Sequence, residues 1–251
     1  MARFSISTEV ADLLPHMQVV VVTARGLDNR TANPKVAARV QAVVDKTLAT
    51  FTANNYSNAQ SHPRVALYRD TLKKAANVSA KKFPQSNESL LKRLLKDKKP
   101  SRPISPVVDF YNSVSIEHAV TAGAFDLSEL GAKEAPLELR VGNEKDRFVP
   151  LDAPDSEPAK VDSKEILYVQ DNVVLTRHLA WRQSAQALVT ENSTDVMFMS
   201  EVFNEGNVGS EPTELTRSVA QSLQDGLKEL FGVDGQVTVL GKSVGKLEVD
   251  L

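Results

Sequence analysis

The chain has 251 residues, of which 41% are hydrophobic and 25% are charged, a composition typical of one globular domain or two small ones. It contains no cysteine, which excludes disulfides, thiolate catalysis and sulfur-ligated zinc. Its four histidines include no pair at the i, i+4 spacing of a helical metal site, so we expect neither a metal nor a cofactor. Apolar runs such as residues 19–22 are far shorter than the roughly 18 to 20 residues of a membrane helix, so no membrane span is expected.

Residues 1–11 contain Arg3 but are interrupted by polar side chains, so they lack the continuous apolar centre of a secretory signal. We therefore expect this segment to belong to the mature protein. Together with the absence of cysteine, it favours a reducing, cytoplasmic location.

The net charge of -2 conceals a strong asymmetry along the chain. Residues 64–102 contain twelve basic and three acidic side chains, a net charge of +9, which leaves -11 for the remainder. A local basic surface attracts phosphates even in a balanced protein, because fields decay within about 8 Å at physiological salt. The predicted RNA-binding residues are Arg64, Arg69, Lys92, Arg93, Lys96, Lys98, Lys99 and Arg102. The alternative is a solvated helical face that keeps the protein soluble, on which Arg64 and Arg69 pair with acidic neighbours.

The first third of the chain predicts one buried strand followed by three helices. These elements span residues 18–23, 34–51, 63–76 and 86–97. Asn33 is the expected N-cap of the first helix and Pro34 its first residue. His62 precedes the second helix, either as a turn residue or as an acid, base or ligand.

Residues 98–106 contain three prolines, which indicate a connecting segment between the helical first part of the chain and the rest. A short apolar segment, a helix, four strands, a long helix and a last strand are expected in that order. They are residues 107–110, 112–120, 137–141, 165–169, 173–176, 195–199, 213–231 and 236–240. Residues 152–163 predict an exposed loop, and Gly232 ends the long helix. This order predicts a mixed α/β (α+β) fold with antiparallel pairs.

Common catalytic signatures are missing from the sequence, including nucleotide-binding glycine loops and the nucleophile elbow. Instead, short polar and aromatic clusters lie between the apolar segments. They are residues 62–64, 68–69, 109–112, 123–126 and 181–184.

Two of these clusters carry a resemblance to a known family. The string PVVDFYNSVS at residues 106–115 is followed by GAFDL at residues 123–127, with fourteen residues from Asn112 to Asp126. This pattern resembles the B3/B4 domain of the phenylalanyl-tRNA synthetase β subunit, in which a V-D-x-x-N segment precedes an A-F-D-like segment. Free-standing members of that family resemble the chain over roughly residues 10–232.

The resemblance implies a β-sandwich-like core of mixed strands flanked by helices. It also implies three segments: a strand-helix unit over residues 1–60, the B3/B4-like domain over residues 61–232, and a C-terminal strand and tail over residues 233–251. In the synthetase, this domain hydrolyses tyrosine wrongly attached to tRNA, and free-standing members are described as RNA-binding by homology.

The chain departs from the synthetases at three places. Gly123 replaces a histidine, residues 181–184 replace a glycine-rich stretch, and Met199 stands where a glutamate is expected, with Glu201 two residues further on. These departures weigh against tyrosine-specific editing.

From the resemblance we predict a site with catalytic and substrate-binding residues. The catalytic candidates are Asn112, Gly123 and Glu201. The substrate-binding candidates are Asp109, Tyr111, Phe125, Asp126, Trp181, Arg182 and Gln183. Four of them have structural alternatives: Asn112 can tie a turn, Asp109 and Asp126 can each cap a helix, and Trp181 can anchor a strand.

Three functions follow from these residues. The favoured one is an RNA-binding protein that recognises aminoacyl-tRNA and hydrolyses mischarged species in trans. The second is an enzyme or binding protein for an amino-acid-like small molecule that uses the same site without tRNA. The third is a non-catalytic module whose basic helices hold a protein partner.

Overall fold

The computed structural model describes residues 2–206 and 208–251. The strands of this part are β1 (Arg3–Ile6), β2 (Met17–Ala24), β3 (Gly123–Asp126), β4 (Leu137–Val141), β5 (Arg147–Phe148), β6 (Ala159–Lys160), β7 (Ile166–Gln170), β8 (Val173–Arg177), β9 (Arg182–Gln183), β10 (Val196–Phe203), β11 (Gln236–Leu240) and β12 (Glu248–Asp250). The helices are α1 (Thr8–Leu13), α2 (Pro34–Ala53), α3 (Pro63–Ala76), α4 (Ser86–Asp97), α5 (Pro106–His118), α6 (Leu127–Gly131) and α7 (Glu214–Gly226). A π-helical turn, Leu227–Phe231, extends α7.

The strands form two sheets, and the predicted mixed α/β fold is confirmed. The larger sheet has the order β12-β1-β4-β7-β8-β5-β6, with β9 added beside β8. The smaller sheet has the order β11-β2-β10-β3 and is antiparallel throughout. In the larger sheet the β1–β4 and β5–β8 pairs are parallel.

Strand β10 lies in the middle of the molecule, and all eight of its residues are buried. Phe198 packs against Phe110 of α5, with ring centroids 6.0 Å apart. On the neighbouring strand β3, Phe125 meets Tyr168 of the larger sheet at 5.8 Å. The two inner strands, β2 and β10, are buried along almost their whole length and show no clear alternation, whereas the edge strand β11 alternates polar and apolar residues.

Helix ends follow from their capping residues. Asn33 accepts hydrogen bonds from Lys35 N and Val36 N at 3.0 and 3.3 Å, and Pro34 begins α2 as predicted. Gly232, at a φ of 71°, ends the π turn after α7. No helix in the described residues is long and apolar enough to cross a bilayer.

Two sequence expectations change in the structure. The segment 107–110 is not separate from the following helix, because α5 begins at Pro106 with Ser105 as its N-cap and continues to His118. The predicted loop 152–163 contains the short exposed strand β6.

Strand β2 lies between β11 and β10, so one sheet combines strands from all three predicted segments. The division at residues 60 and 232 stays a prediction.

Candidate functional site

A cavity of about 170 Å³ lies where β3 and β10 of the smaller sheet face β7 and β8 of the larger one. Helix α5 and the first residue of α4 complete its wall. Eight of the ten residues predicted as catalytic or substrate-binding line it. They are Tyr111, Asn112, Gly123, Phe125, Trp181, Arg182, Gln183 and Glu201.

Glu201 reaches the cavity although it stands two residues beyond the expected position. Side chains two residues apart on a strand point to the same face, so Met199 and Glu201 both face the cavity from β10. The displacement therefore moves the carboxyl along the strand without turning it away.

The Glu201 carboxyl lies in a buried hydrogen-bond network. Its two oxygens accept hydrogen bonds of 2.5 Å each from the Tyr168 hydroxyl and the Thr121 hydroxyl. Burial raises the pKa of Glu201, and these two hydrogen bonds offset part of that increase. Among the described residues that line the cavity, Glu201 carries the one carboxyl group.

Two buried tyrosines hold the backbone and side chain of Glu201. The Tyr68 hydroxyl donates to the Glu201 carbonyl oxygen and accepts from Thr121 N at 3.3 Å. Burial raises the pKa of both Tyr68 and Tyr168, so both hydroxyls stay protonated and act as donors at neutral pH.

Helix α5 presents Tyr111 and Asn112 to the cavity. Asn112 is half-buried inside this helix, so the alternative of tying a turn does not apply. Its carboxamide has no hydrogen-bond partner among the described residues, which leaves a donor and an acceptor for a ligand. Burial raises the pKa of the Tyr111 phenol to about 12.

Trp181, Arg182 and Gln183 form the wall that the larger sheet contributes. Trp181 is half-buried, with the Arg182 guanidinium 5.8 Å from its ring centroid. Arg182 also pairs with Asp152 through two hydrogen bonds of 2.5 and 2.7 Å. Gln183 donates to the Ala124 carbonyl oxygen at 3.4 Å.

Asp109 and Asp126 do not line the cavity. Asp109 accepts from Ile104 N at 3.1 and 3.3 Å. Asp126 caps α6 through Ser128 N and Glu129 N, at 2.8 and 3.1 Å, and also accepts from the Ser193 hydroxyl. The geometry therefore matches the capping alternative for Asp126.

The predicted RNA-binding residues divide into two groups. Arg64 donates to the His118 carbonyl oxygen at 2.6 Å, and Arg69 and Lys92 both pair with the buried Glu88, at 2.8 and 2.7 Å. The other five are exposed and make no ion pair within the described part of the chain. They are Arg93, Lys96, Lys98, Lys99 and Arg102.

His62 occupies the N-cap position of α3, where its Nδ1 accepts from Arg64 N at 3.3 Å. Its ring contacts those of Phe51 and Tyr56, with ring centroids 5.6 and 5.3 Å away, and burial lowers its pKa. These contacts match the turn alternative. No group of acidic or histidine side chains in residues 2–206 and 208–251 is arranged to hold a metal ion.

Several cavity residues carry no sequence signal of that role. Tyr168 lies in β7 and Leu179 in the turn after β8, and both are buried hydrophobic residues that the sequence does not distinguish from other core residues. Ser86 reads as the start of a helix, but its hydroxyl is buried at the cavity without a partner in the described residues. Tyr168 and Leu179 reach the cavity through the arrangement of the strands, and Ser86 reaches it because the start of α4 packs against the turn after β8.

The profile of the B3/4 domain family matches residues 73–222, which cover more than half of the chain and include most of the cavity residues. The chain belongs to the B3/4 domain family. A similar solved structure is an N-terminal fragment of the phenylalanyl-tRNA synthetase β subunit from Pyrococcus horikoshii, with a TM-score of 0.45 and 11% sequence identity. The alignment covers 92% of this chain and 49% of that fragment, so this B3/4 protein spans about half of its length. No curated protein matches.

Proposed function

We propose that this B3/4 protein binds aminoacyl-tRNA and hydrolyses the ester of mischarged species in trans. The observation that carries the proposal is the placement of α4. Its first residue, Ser86, lines the cavity, and its other end carries exposed basic side chains. A helix of 12 residues is about 18 Å long, so one rigid element connects the cavity with a phosphate-binding surface.

The cavity supplies the groups that ester hydrolysis requires. In the proposed reaction, a bound water attacks the ester carbonyl while the Asn112 carboxamide and backbone amides at Gly123 hold the developing oxyanion. Glu201 accepts the proton of that water, a role for which a raised carboxyl pKa is suited near neutral pH. The bond between the carbonyl carbon and the ribose oxygen then breaks, and that oxygen takes the proton held by Glu201, assisted by the neighbouring terminal hydroxyl of the tRNA.

Phosphate binding is assigned to the exposed part of the basic region. Arg69 and Lys92 both pair with Glu88, which reduces their contribution to phosphate binding. Arg64 donates a hydrogen bond to the carbonyl oxygen of His118, the last residue of α5. The main candidates are therefore the residues after Lys92.

The test is tRNA binding by a variant in which Arg93, Lys96, Lys99 and Arg102 are replaced by Ala. Lys98 is left unchanged because it ends α4 in a left-handed conformation, at a φ of 55°. The matched control replaces four exposed lysines outside the basic region. They are Lys133, Lys145, Lys160 and Lys164.

Binding is measured for aminoacylated and uncharged tRNA at several salt concentrations. The α4 variant should lose affinity, and its log–log salt slope should decrease by about 3, since each phosphate contact contributes roughly 0.7 to 0.9. The control variant should match the wild type. Equal salt slopes for the two variants would show that these four basic side chains do not bind tRNA phosphates.

A second candidate function is binding of an amino-acid-like small molecule without tRNA. It is favoured by the intramolecular pairing of Arg64, Arg69 and Lys92, which leaves the basic surface smaller than the sequence predicts. Saturable binding of free amino acids, together with no binding of tRNA at low salt, would support this second function.

A further inference from the structure

The start of α4 departs from the usual chemistry of helix ends. Its N-cap residue is Gln85, whose side chain makes no hydrogen bond to the helix, although the N-cap position favours short polar side chains that do. Gln85 is nevertheless only 3% exposed. A buried carboxamide that does not serve its own helix has another partner.

That partner is the turn between β8 and β9. Gln85 Nε2 donates to the His178 carbonyl oxygen at 3.0 Å, and Gln85 Oε1 accepts from Ala180 N at 3.1 Å. Next to it, Ser86 N donates to the Ala180 carbonyl oxygen at 2.9 Å. Three hydrogen bonds therefore connect the start of α4 with one short turn.

The turn has an unusual backbone. His178 and Leu179 are consecutive residues with positive φ, at 46° and 69°, a conformation that side-chain-bearing residues rarely adopt and almost never in succession. Such a conformation persists only where its surroundings determine it. The Gln85 carboxamide bonds to the backbone on both sides of Leu179 and is one of those determinants.

This turn builds one wall of the cavity. Leu179, Ala180 and Trp181 all line it, and Leu179 is fully buried. Relaxation of His178 and Leu179 to ordinary backbone angles would move all three side chains. The shape of that wall therefore depends on a residue that does not itself line the cavity.

We propose that Gln85 is a positioning residue: its carboxamide holds the left-handed turn at His178 and Leu179, and thereby sets the position of Trp181 and the specificity of the cavity. The part of this inference that concerns the ligand rests on the proposed function. The part that concerns the turn does not.

The test uses Trp181, the one tryptophan in the chain, as a fluorescent reporter of the turn. Gln85→Met keeps the length of the side chain and removes both hydrogen bonds to the turn, together with a longer one of 3.4 Å from Gln85 Nε2 to the Phe83 carbonyl oxygen. Gln85→Glu keeps the acceptor for Ala180 N and removes the donor to His178. The control is Gln41→Met, the same exchange on the exposed face of α2, where Gln41 donates to Asp45 at 2.9 Å.

In Gln85→Met the acrylamide quenching constant of Trp181 should rise at least about twofold, because the turn opens more often. Ligand binding is measured with a panel of 3′-deoxy-3′-(aminoacylamino)adenosines, stable amide analogues of aminoacyl ends that differ in the amino acid. Binding of the analogue that the wild type binds most tightly should weaken about tenfold, as expected for the loss of one or two hydrogen bonds. Gln85→Glu should lie between Gln85→Met and the wild type, and Gln41→Met should equal the wild type in both measurements.

Wild-type quenching in Gln85→Met and Gln85→Glu would overturn the proposal, and so would an equal change in Gln41→Met. If Gln85→Met does not unfold cooperatively on heating, it is not correctly folded, and its quenching cannot be interpreted. The quenching of Trp181 in Gln85→Glu then tests the proposal by the same criteria. If the wild type binds no analogue in the panel, the proposed function fails at this cavity, and the quenching data still decide the role of Gln85.

Discussion

The Tyr168 hydroxyl donates a 2.5 Å hydrogen bond to the Glu201 carboxyl and so connects the larger sheet to the central strand of the smaller one. Both side chains are buried, and both line the cavity. The same carboxyl is thus part of the structural link between the sheets and part of the candidate site. Changes at Glu201 are expected to affect stability and ligand binding together.

The first prediction concerns the pH dependence of stability. Burial raises the pKa of Glu201 above the ordinary value of 4.5, so the folded chain binds this proton more tightly than the unfolded chain. The resulting stabilisation is complete below pH 4.5 and is lost as the pH rises through the folded pKa. Glu201→Gln has no carboxyl at this position, so it lacks this pH-dependent contribution to the free energy of unfolding.

The measurement is urea denaturation of both proteins from about pH 4 to about pH 8. The free energy of unfolding of the wild type minus that of Glu201→Gln should fall as the pH increases. A difference that is constant with pH, or that rises, would show that the carboxyl is not buried as described.

The second prediction compares two glycines. A Cβ added at Gly123 meets nothing within 4 Å, so Gly123→Leu should fill the cavity with a stability change under about 1 kcal/mol. It should weaken binding of the aminoacyl amide analogue that the wild type binds most tightly at least about tenfold. A Cβ at Gly226 would collide with the Phe110 ring, so Gly226→Ala should destabilise the fold by about 1–3 kcal/mol.

Urea denaturation and analogue titration separate the two effects. If Gly123→Leu binds the analogue as the wild type does, the open space at Gly123 is not part of the ligand site.

The third prediction concerns Glu88, whose side chain is 1% exposed and pairs with Arg69 and Lys92. Glu88→Gln should cost about 1–3 kcal/mol of stability, because it breaks a partly buried charge network. It should also free two cations, which should steepen the log–log salt slope of tRNA binding by about 1.5.

Glu117 offers a matched control. It too pairs with one arginine and one lysine, Arg39 at 2.7 Å and Lys46 at 3.3 Å, but those partners lie on α2. Glu117→Gln should also lower stability and leave the salt slope unchanged. A steeper slope in both variants would indicate a nonspecific effect of net charge.

The fourth prediction separates the two alternatives for Asp126. Since its carboxylate caps α6 outside the cavity, Asp126→Ala should cost about 1–2 kcal/mol of stability without changing the affinity for the analogue. Loss of analogue binding at unchanged stability would assign Asp126 to the ligand instead.

The helices were largely predictable because their signals are local. Asn33 with Pro34, and Thr213 with Gly232, mark the ends of α2 and of the α7 region within a few residues of sequence. The secondary structure of residues 107–110 was harder to predict, since a four-residue apolar run is compatible with either a strand or a helix until the structure of its neighbours is known.

The walls of the cavity were only partly predictable. Asn112 and Trp181 were found through family resemblance, whereas Tyr168 and Leu179 depend on which strands pair. The role of Gln85 could not be predicted from the sequence, because the backbone groups of the turn to which it bonds lie more than 90 residues away. Strands β5, β6 and β9 have two residues each, too few for a sequence pattern to predict.

The most direct test of the proposed function is the release of labelled amino acids from a panel of mischarged tRNAs, measured with the wild type and with Asn112→Ala. The proposed function predicts that the wild type accelerates release from at least one species. In Asn112→Ala, whose thermal unfolding should match the wild type, that rate should fall by about a hundredfold, the usual effect of removing one oxyanion donor. A wild-type protein that deacylates no species in the panel faster than buffer alone would contradict it.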